Sequence, residues 1–247
     1  MPTRCAVWRE AGRKREIKAT TGKRLGPSRA RVEVTGTLPA GKSEFAESYT
    51  IYGSGDLIVS QTFKPGAEGL PELPRFGMQM VLPVGFDTIT WYGRGPHENY
   101  WDRRTSAAVG VYSGNVMDQY HPYIRPQENG YKTDVRWVAL TNKEGIGLLA
   151  TGLPLLSTAA GRFLPDDYEY GPEKGQRHPT DMRPRDMVVF NVDFRQMGVG
   201  GDTSWGAKPH DEYMLFPKEY SYSYRLRPFS GRDGTPQVLS KEIFGPQ

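Results

Sequence analysis

The amino-acid sequence predicts an all-β protein in which two large antiparallel sheets pack face to face. Apolar residues recur with a period of two, and Gly and Pro cluster where that period breaks. No stretch carries a convincing helical period beyond a few turns. Strands throughout, with frequent turns, leave sheet-on-sheet packing as the way to bury the apolar faces.

The strands follow in order. Val32 and Val34 alternate with Arg31, Glu33 and Thr35, and Phe45, Tyr49 and Ile51 with Ala46, Ser48 and Thr50. Ile89 and Trp91 alternate with Thr88 and Thr90. Val188, Phe190, Val192 and Phe194 oppose Val189, Asn191, Asp193 and Arg195, and Tyr220, Tyr222, Tyr224 and Leu226 oppose Ser221, Ser223, Arg225 and Arg227. Each such run predicts a strand with one buried and one wet face. Turns fall at Gly53–Gly55, Pro65–Gly66, Gly93–Pro96, Asn129–Gly130 and Gly198–Gly201. His97–Ala108 is the best candidate for a short helix. Residues 1–229 read as one domain, and 230–247, where the alternation stops, as an extended or poorly ordered tail.

Composition agrees. The chain of 247 residues holds 29 Gly and 20 Pro, a fifth of the total against roughly 12% in average proteins. Neither residue suits a helix interior. The net charge is +4, yet nine cations face two acids between Arg9 and Arg31, so the remainder is slightly acidic. A nucleic-acid site would need a recognition helix or stacking aromatics within that basic patch, and none is visible; a solvated strand pair or a face docking on another domain is expected instead. No apolar run approaches the ~18 residues of a membrane span, and no signal-peptide core is present. Cys5 is the single cysteine, which excludes an internal disulfide and leaves the compartment open.

Few residues suggest chemistry. His97, His121, His178 and His210 form no zinc-type pair, and there is no Gly-x-Ser-x-Gly elbow. Gly198-Val-Gly-Gly201 lacks the Lys-Ser/Thr and helix of a phosphate loop, and reads as a tight turn after a strand. Glycoside hydrolysis needs two carboxylates flanking one bond. Glu98, Asp102, Glu128 and Asp202 lie near turn glycines, but each also reads as a turn hydrogen-bonder or a partner of a nearby Arg such as Arg94, Arg103 or Arg104. Trp205 closes a glycine-rich loop, where it offers a flat apolar face for a sugar ring or pins the loop as a core residue. Asp202 and Ser204 stand where they could bond the loop amides.

Five segments occur in a telling order: Arg75-Phe-Gly-Met78, Trp91-Tyr-Gly-Arg-Gly-Pro-His-Glu-Asn-Tyr-Trp-Asp-Arg103, Arg125-Pro-Gln-Glu-Asn-Gly130, Thr133-Asp-Val-Arg-Trp137 and Met197-Gly-Val-Gly-Gly-Asp-Thr-Ser-Trp-Gly206. With the closing Tyr-rich strand, they resemble the last domain, or small chain, of large bacterial β-galactosidases, over roughly Trp8 to Pro228. The resemblance implies a galactose mutarotase-like supersandwich without catalytic residues. It places the catalytic Glu pair and the magnesium ligands on a separate (β/α)₈ barrel, so no cofactor is expected in this chain. It also implies that Trp205 borders a galactoside pocket, on a loop supported by Gly200, Gly201, Asp202 and Ser204. The implied partners are the barrel and other domains of a parent enzyme and the galactoside, with neither nucleic acid nor membrane. The family's opening Arg-x-Pro-x-Asp-Asn-Asp-like segment is missing, which implies a start inside the domain. The loop also reads Asp202-Thr203 where the family often has two acidic or amide residues. Two other functions fit the same fold: a sugar mutarotase using His97 or His121 with Glu128, and a free carbohydrate-binding module using Trp205.

Overall fold

The computed structural model describes residues 3–169, 177–203 and 205–244. Among them run eleven strands: β1 (Glu16–Gly26), β2 (Arg29–Leu38), β3 (Ser43–Tyr52), β4 (Leu57–Lys64), β5 (Arg75–Pro83), β6 (Thr88–Gly95), β7 (Ala108–Asn115), β8 (Lys132–Thr141), β9 (Gly147–Gly161), β10 (Met187–Gln196) and β11 (Tyr220–Phe229). A single α-helical turn, α1 (Pro236–Leu239), follows. Every strand pair is antiparallel, in the order β1-β2-β3-β4-β11-β9-β8-β6-β7, with β10 attached to β9 and β5 to β10.

The expected layers are therefore joined in one hydrogen-bonded network that branches at β9. Gly147–Leu153 of β9 pairs with β11, whereas Ser157–Gly161 pairs with β10. The branch falls where Pro154 supplies no backbone N–H. Gly152 permits the bend, since a Cβ there would lie 2.7 Å from the carbonyl carbon of Leu155. Between the layers sits the main core, with Ile89 and Trp91 of β6, Val138 and Leu140 of β8, Val188, Phe190 and Val192 of β10, and Tyr222 and Tyr224 of β11.

Period-two reading holds for β6 and for the Tyr face of β11, and fails in specific places. On β3, Thr50 is buried and Ile51 exposed, because Arg31 of β2 lies over that face and donates to Thr50 Oγ1 at 3.1 Å. On β10, the residues expected to be wet are buried too: Val189, Asn191 and Asp193 face away from the core but are covered by other segments. The basic amino-terminal stretch forms the solvated pair of strands, with β1 exposed from Glu16 to Arg24.

The tail does not extend into solvent. It turns back through α1 and seats Leu239 among Trp137, Ala139, Leu149 and Phe229. Arg225 donates to the Leu239 carbonyl, Arg227 pairs with Glu242 at 2.6 Å, and Phe244 packs on Tyr52. Among the described residues of the tail Leu239 alone is fully buried, too little to register as a period.

Candidate functional site

The loop after β10 is built on backbone hydrogen bonds to distant segments. Met197 N–H donates to Pro74 O at 3.1 Å and Gly198 N–H to Tyr213 O at 2.8 Å. The next two amides, of Val199 and Gly200, both donate to Asp102 Oδ2, at 2.9 and 2.8 Å. Close approach requires glycine at two positions. A Cβ at 198 would lie 2.8 Å from the Asp102 carboxyl carbon, and one at 201 would lie 2.2 Å from Ala207 O. Gly200 has room for a Cβ and serves through its amide. The loop then exposes Trp205, whose backbone N–H donates to Thr203 Oγ1 at 3.4 Å, and turns at Gly206 with φ +92°. Trp205 is 93% exposed, which removes the reading of a core pin.

Asp202 does not hold the loop amides as the sequence suggested. Its carboxylate instead meets His210 Nε2, with both oxygens at 2.9 Å, and that hydrogen bond raises the His210 pKa. The pair ties the two arms of the loop across its base. Ser204 lies outside the described residues. The amide-holding role belongs to Asp102, which stands 97 positions before Val199 in sequence.

The segment around Asp102 is not a helix. Residues 97–107 form turns closed by a bridge between Tyr100 and Arg103. Long-range partners take the groups a helix would use. Asn99 N–H donates to Tyr131 O, and Asn99 Oδ1 accepts from both the backbone and the hydroxyl of Thr133. Trp101 lies between the guanidinium groups of Arg195, 3.5 Å from its ring centre, and Arg104, 4.1 Å away. Its indole N–H donates to Glu212 O at 3.3 Å. Arg104 and Arg94 converge on Asp134, which is held at φ +52°.

The carboxylates considered from sequence each take a structural partner. Glu98 accepts from Tyr100, Tyr123, Arg103 and the Gly130 amide. Glu128 pairs with Arg75. His97 meets Ser106 Oγ at 3.1 Å and His121 packs edge-on against Tyr123, so neither is hydrogen-bonded to Glu128. Among the described residues no group of three or more His, Cys, Asp or Glu could hold a metal ion. Among the described residues no helix is long and apolar enough to cross a membrane. Two hollows lie elsewhere, one of about 30 Å³ beside Glu128 and Asn191 and one of about 350 Å³ among Lys18, Phe45 and Lys64; Trp205 lines neither.

Asp193 on β10 is a feature the sequence reading missed, since it sits on a face expected to be wet. It is fully buried, accepts from Tyr131 at 3.1 Å and has the Arg75 Nε at 3.2 Å. Gly77 makes this possible, because a Cβ there would lie 2.0 Å from Asp193 Oδ1. Burial pushes the Asp193 pKa up to about 7, against the opposing pull of Arg75. An unfolded Asp releases its proton near pH ~4. Between those values the folded state holds the extra proton, so stability falls as pH rises through the window, by at most roughly 1.4 kcal/mol per pH unit. Asp193→Asn is expected to flatten this fall in melting temperature. An unchanged slope in the Asn variant would assign it to other groups.

The fold and site define an antiparallel all-β domain with an aromatic loop and no assembled carboxylate pair among its described residues. Residues 2–226 match the family described as the β-galactosidase small chain, and the chain belongs to that family. It is similar to the β-galactosidase of Priestia megaterium (strain DSM 319 / IMG 1521), 39% identical over 228 residues, covering 91% of this chain and 21% of that protein. It is also similar to that of Lactobacillus delbrueckii subsp. bulgaricus, 34% identical over 212 residues, covering 85% and 20%. The chain thus spans about a fifth of the length of these curated relatives. Among solved structures, the galactose 1-epimerase from Lactobacillus acidophilus NCFM overlaps with a TM-score of 0.41 at 8% identity, over 85% of this chain and 66% of that one. That overlap is too loose to bear on function.

Proposed function

We propose that this chain is a non-catalytic domain of a larger β-galactosidase, where it completes the galactoside pocket with Trp205. The carrying observation is the indole itself: 93% exposed, yet borne on a loop whose amides are tied to Asp102. An exposed Trp presents an apolar face to sugar C–H groups and its indole N–H to a hydroxyl. Its family membership supplies the substrate class. The bond-breaking carboxylates and the magnesium are assigned to a barrel in the parent enzyme. In this reading, residues 1–229 form the domain and 230–247 a tail, which docks back on it through Leu239, Glu242 and Phe244.

The test is hydrolysis by the purified chain. No turnover of an aryl β-galactoside is expected, because Glu98, Asp102, Glu128 and Asp202 are all committed to structural partners. Turnover abolished by replacing one of these carboxylates would overturn the accessory role.

A further inference from the structure

We infer that Asp102 is a positioning residue for Trp205: its carboxylate sets the path of the loop and so the place of the indole. The functional half of this inference rests on the reading of Trp205 as a galactoside platform. Asp102 Oδ2 accepts from two successive amides, at 2.9 Å from Val199 and 2.8 Å from Gly200. Hydrogen bonds from backbone N–H to an ionised carboxylate are charge-assisted and stronger than neutral ones. The other oxygen, Oδ1, is buried without a hydrogen-bond partner, so the carboxylate is devoted to the loop.

An anchor works only if it is itself held. The neighbouring Trp101 is clamped between Arg195, from the end of β10, and Arg104, which is fixed by Asp134. Its indole N–H reaches Glu212 on the returning arm of the loop. The 100–104 segment therefore grips the outgoing arm through Asp102 and the returning arm through Trp101. Gly198 lets the outgoing arm reach the carboxylate, since any side chain there would push the backbone away. Trp205 itself has little packing of its own, so its position depends on these two holds.

Two measurements test the inference. In the chain, amide hydrogen exchange at Val199 and Gly200 is expected to rise at least about tenfold in Asp102→Ala and by clearly less in Asp102→Asn, whose amide oxygen still accepts but without the charge. Should Asp102→Ala fail to fold, Gly198→Ala makes the same test by forcing the loop off the carboxylate. Unchanged exchange in the folded variant overturns the anchor. In a β-galactosidase carrying this chain as its last domain, Asp102→Ala is expected to cut kcat/KM about tenfold, with Asp102→Asn restoring most of it. On a Trp205→Ala background the same substitution is expected to cost nothing more, because the two act as one unit. Fully additive losses would overturn action through Trp205. If Trp205→Ala alone has no kinetic effect, the platform reading fails, and the exchange measurement still decides whether Asp102 anchors the loop.

Discussion

In a β-galactosidase that carries this chain as its last domain, Trp205→Ala is expected to lower kcat/KM for an aryl β-galactoside at least about thirtyfold while leaving the melting temperature unchanged. Removing an aromatic anchor from a pocket commonly costs about 2 kcal/mol or more, and 1.4 kcal/mol is a factor of ten. The stability half follows from burial. A side chain that is 93% exposed leaves no cavity when truncated, and exposed substitutions usually stay within about 0.5 kcal/mol. Trp205→Phe is expected to recover part of the activity, since it retains an apolar ring but loses area and the indole N–H. An early-melting Trp205→Ala whose folded fraction works normally would make the residue a structural pin and sink the platform reading.

The second large effect concerns stability. Leu239→Ala is expected to destabilise the chain by about 2–5 kcal/mol, the range for truncating a buried Leu. In a protein of this size that lowers the melting temperature by on the order of 10 °C. Leu239 is fully buried against Trp137, Leu149 and Phe229, and its carbonyl accepts from the buried Arg225. Truncation therefore opens a cavity under the tail at the outer face of β8 and β9. Leu239→Met, which conserves volume, is expected to cost under about 1.5 kcal/mol. Substitution of its neighbour Val238, which is exposed, is expected to do nothing measurable. A Leu239→Ala variant that melts like wild type would mean that the tail does not dock.

Two of the readings that changed on folding share a cause. The tail and the 97–108 segment were judged by local pattern, and each is organised by partners far away in sequence. A lone Leu239 carries no period, and the turns around Tyr100 are closed by Asn99 bonds to Tyr131 and Thr133. The same applies to β10, where Asp193 looks wet from its alternation and is enclosed by Tyr131, Arg75 and the bare face of Gly77.

From the sequence alone came the all-β class, strands β2, β3, β6, β10 and β11, the solvated basic strand pair and the family likeness, whereas the core strands β8 and β9 were not legible. The legible features rest on periods, compositions and motifs that are properties of adjacent residues, and side-chain alternation dictates a strand's buried face before its neighbours are known. Tertiary structure alone decided that the layers share β9, that Trp205 stands in solvent, and that Asp102 rather than Asp202 holds the loop amides. The physical reason is that a hydrogen bond between groups 97 residues apart leaves no mark in local sequence, because either residue would serve a turn equally well. The packing of Trp101 against Arg195 and Arg104, with the Asn99 bonds to Tyr131 and Thr133, places the segment that carries this carboxylate.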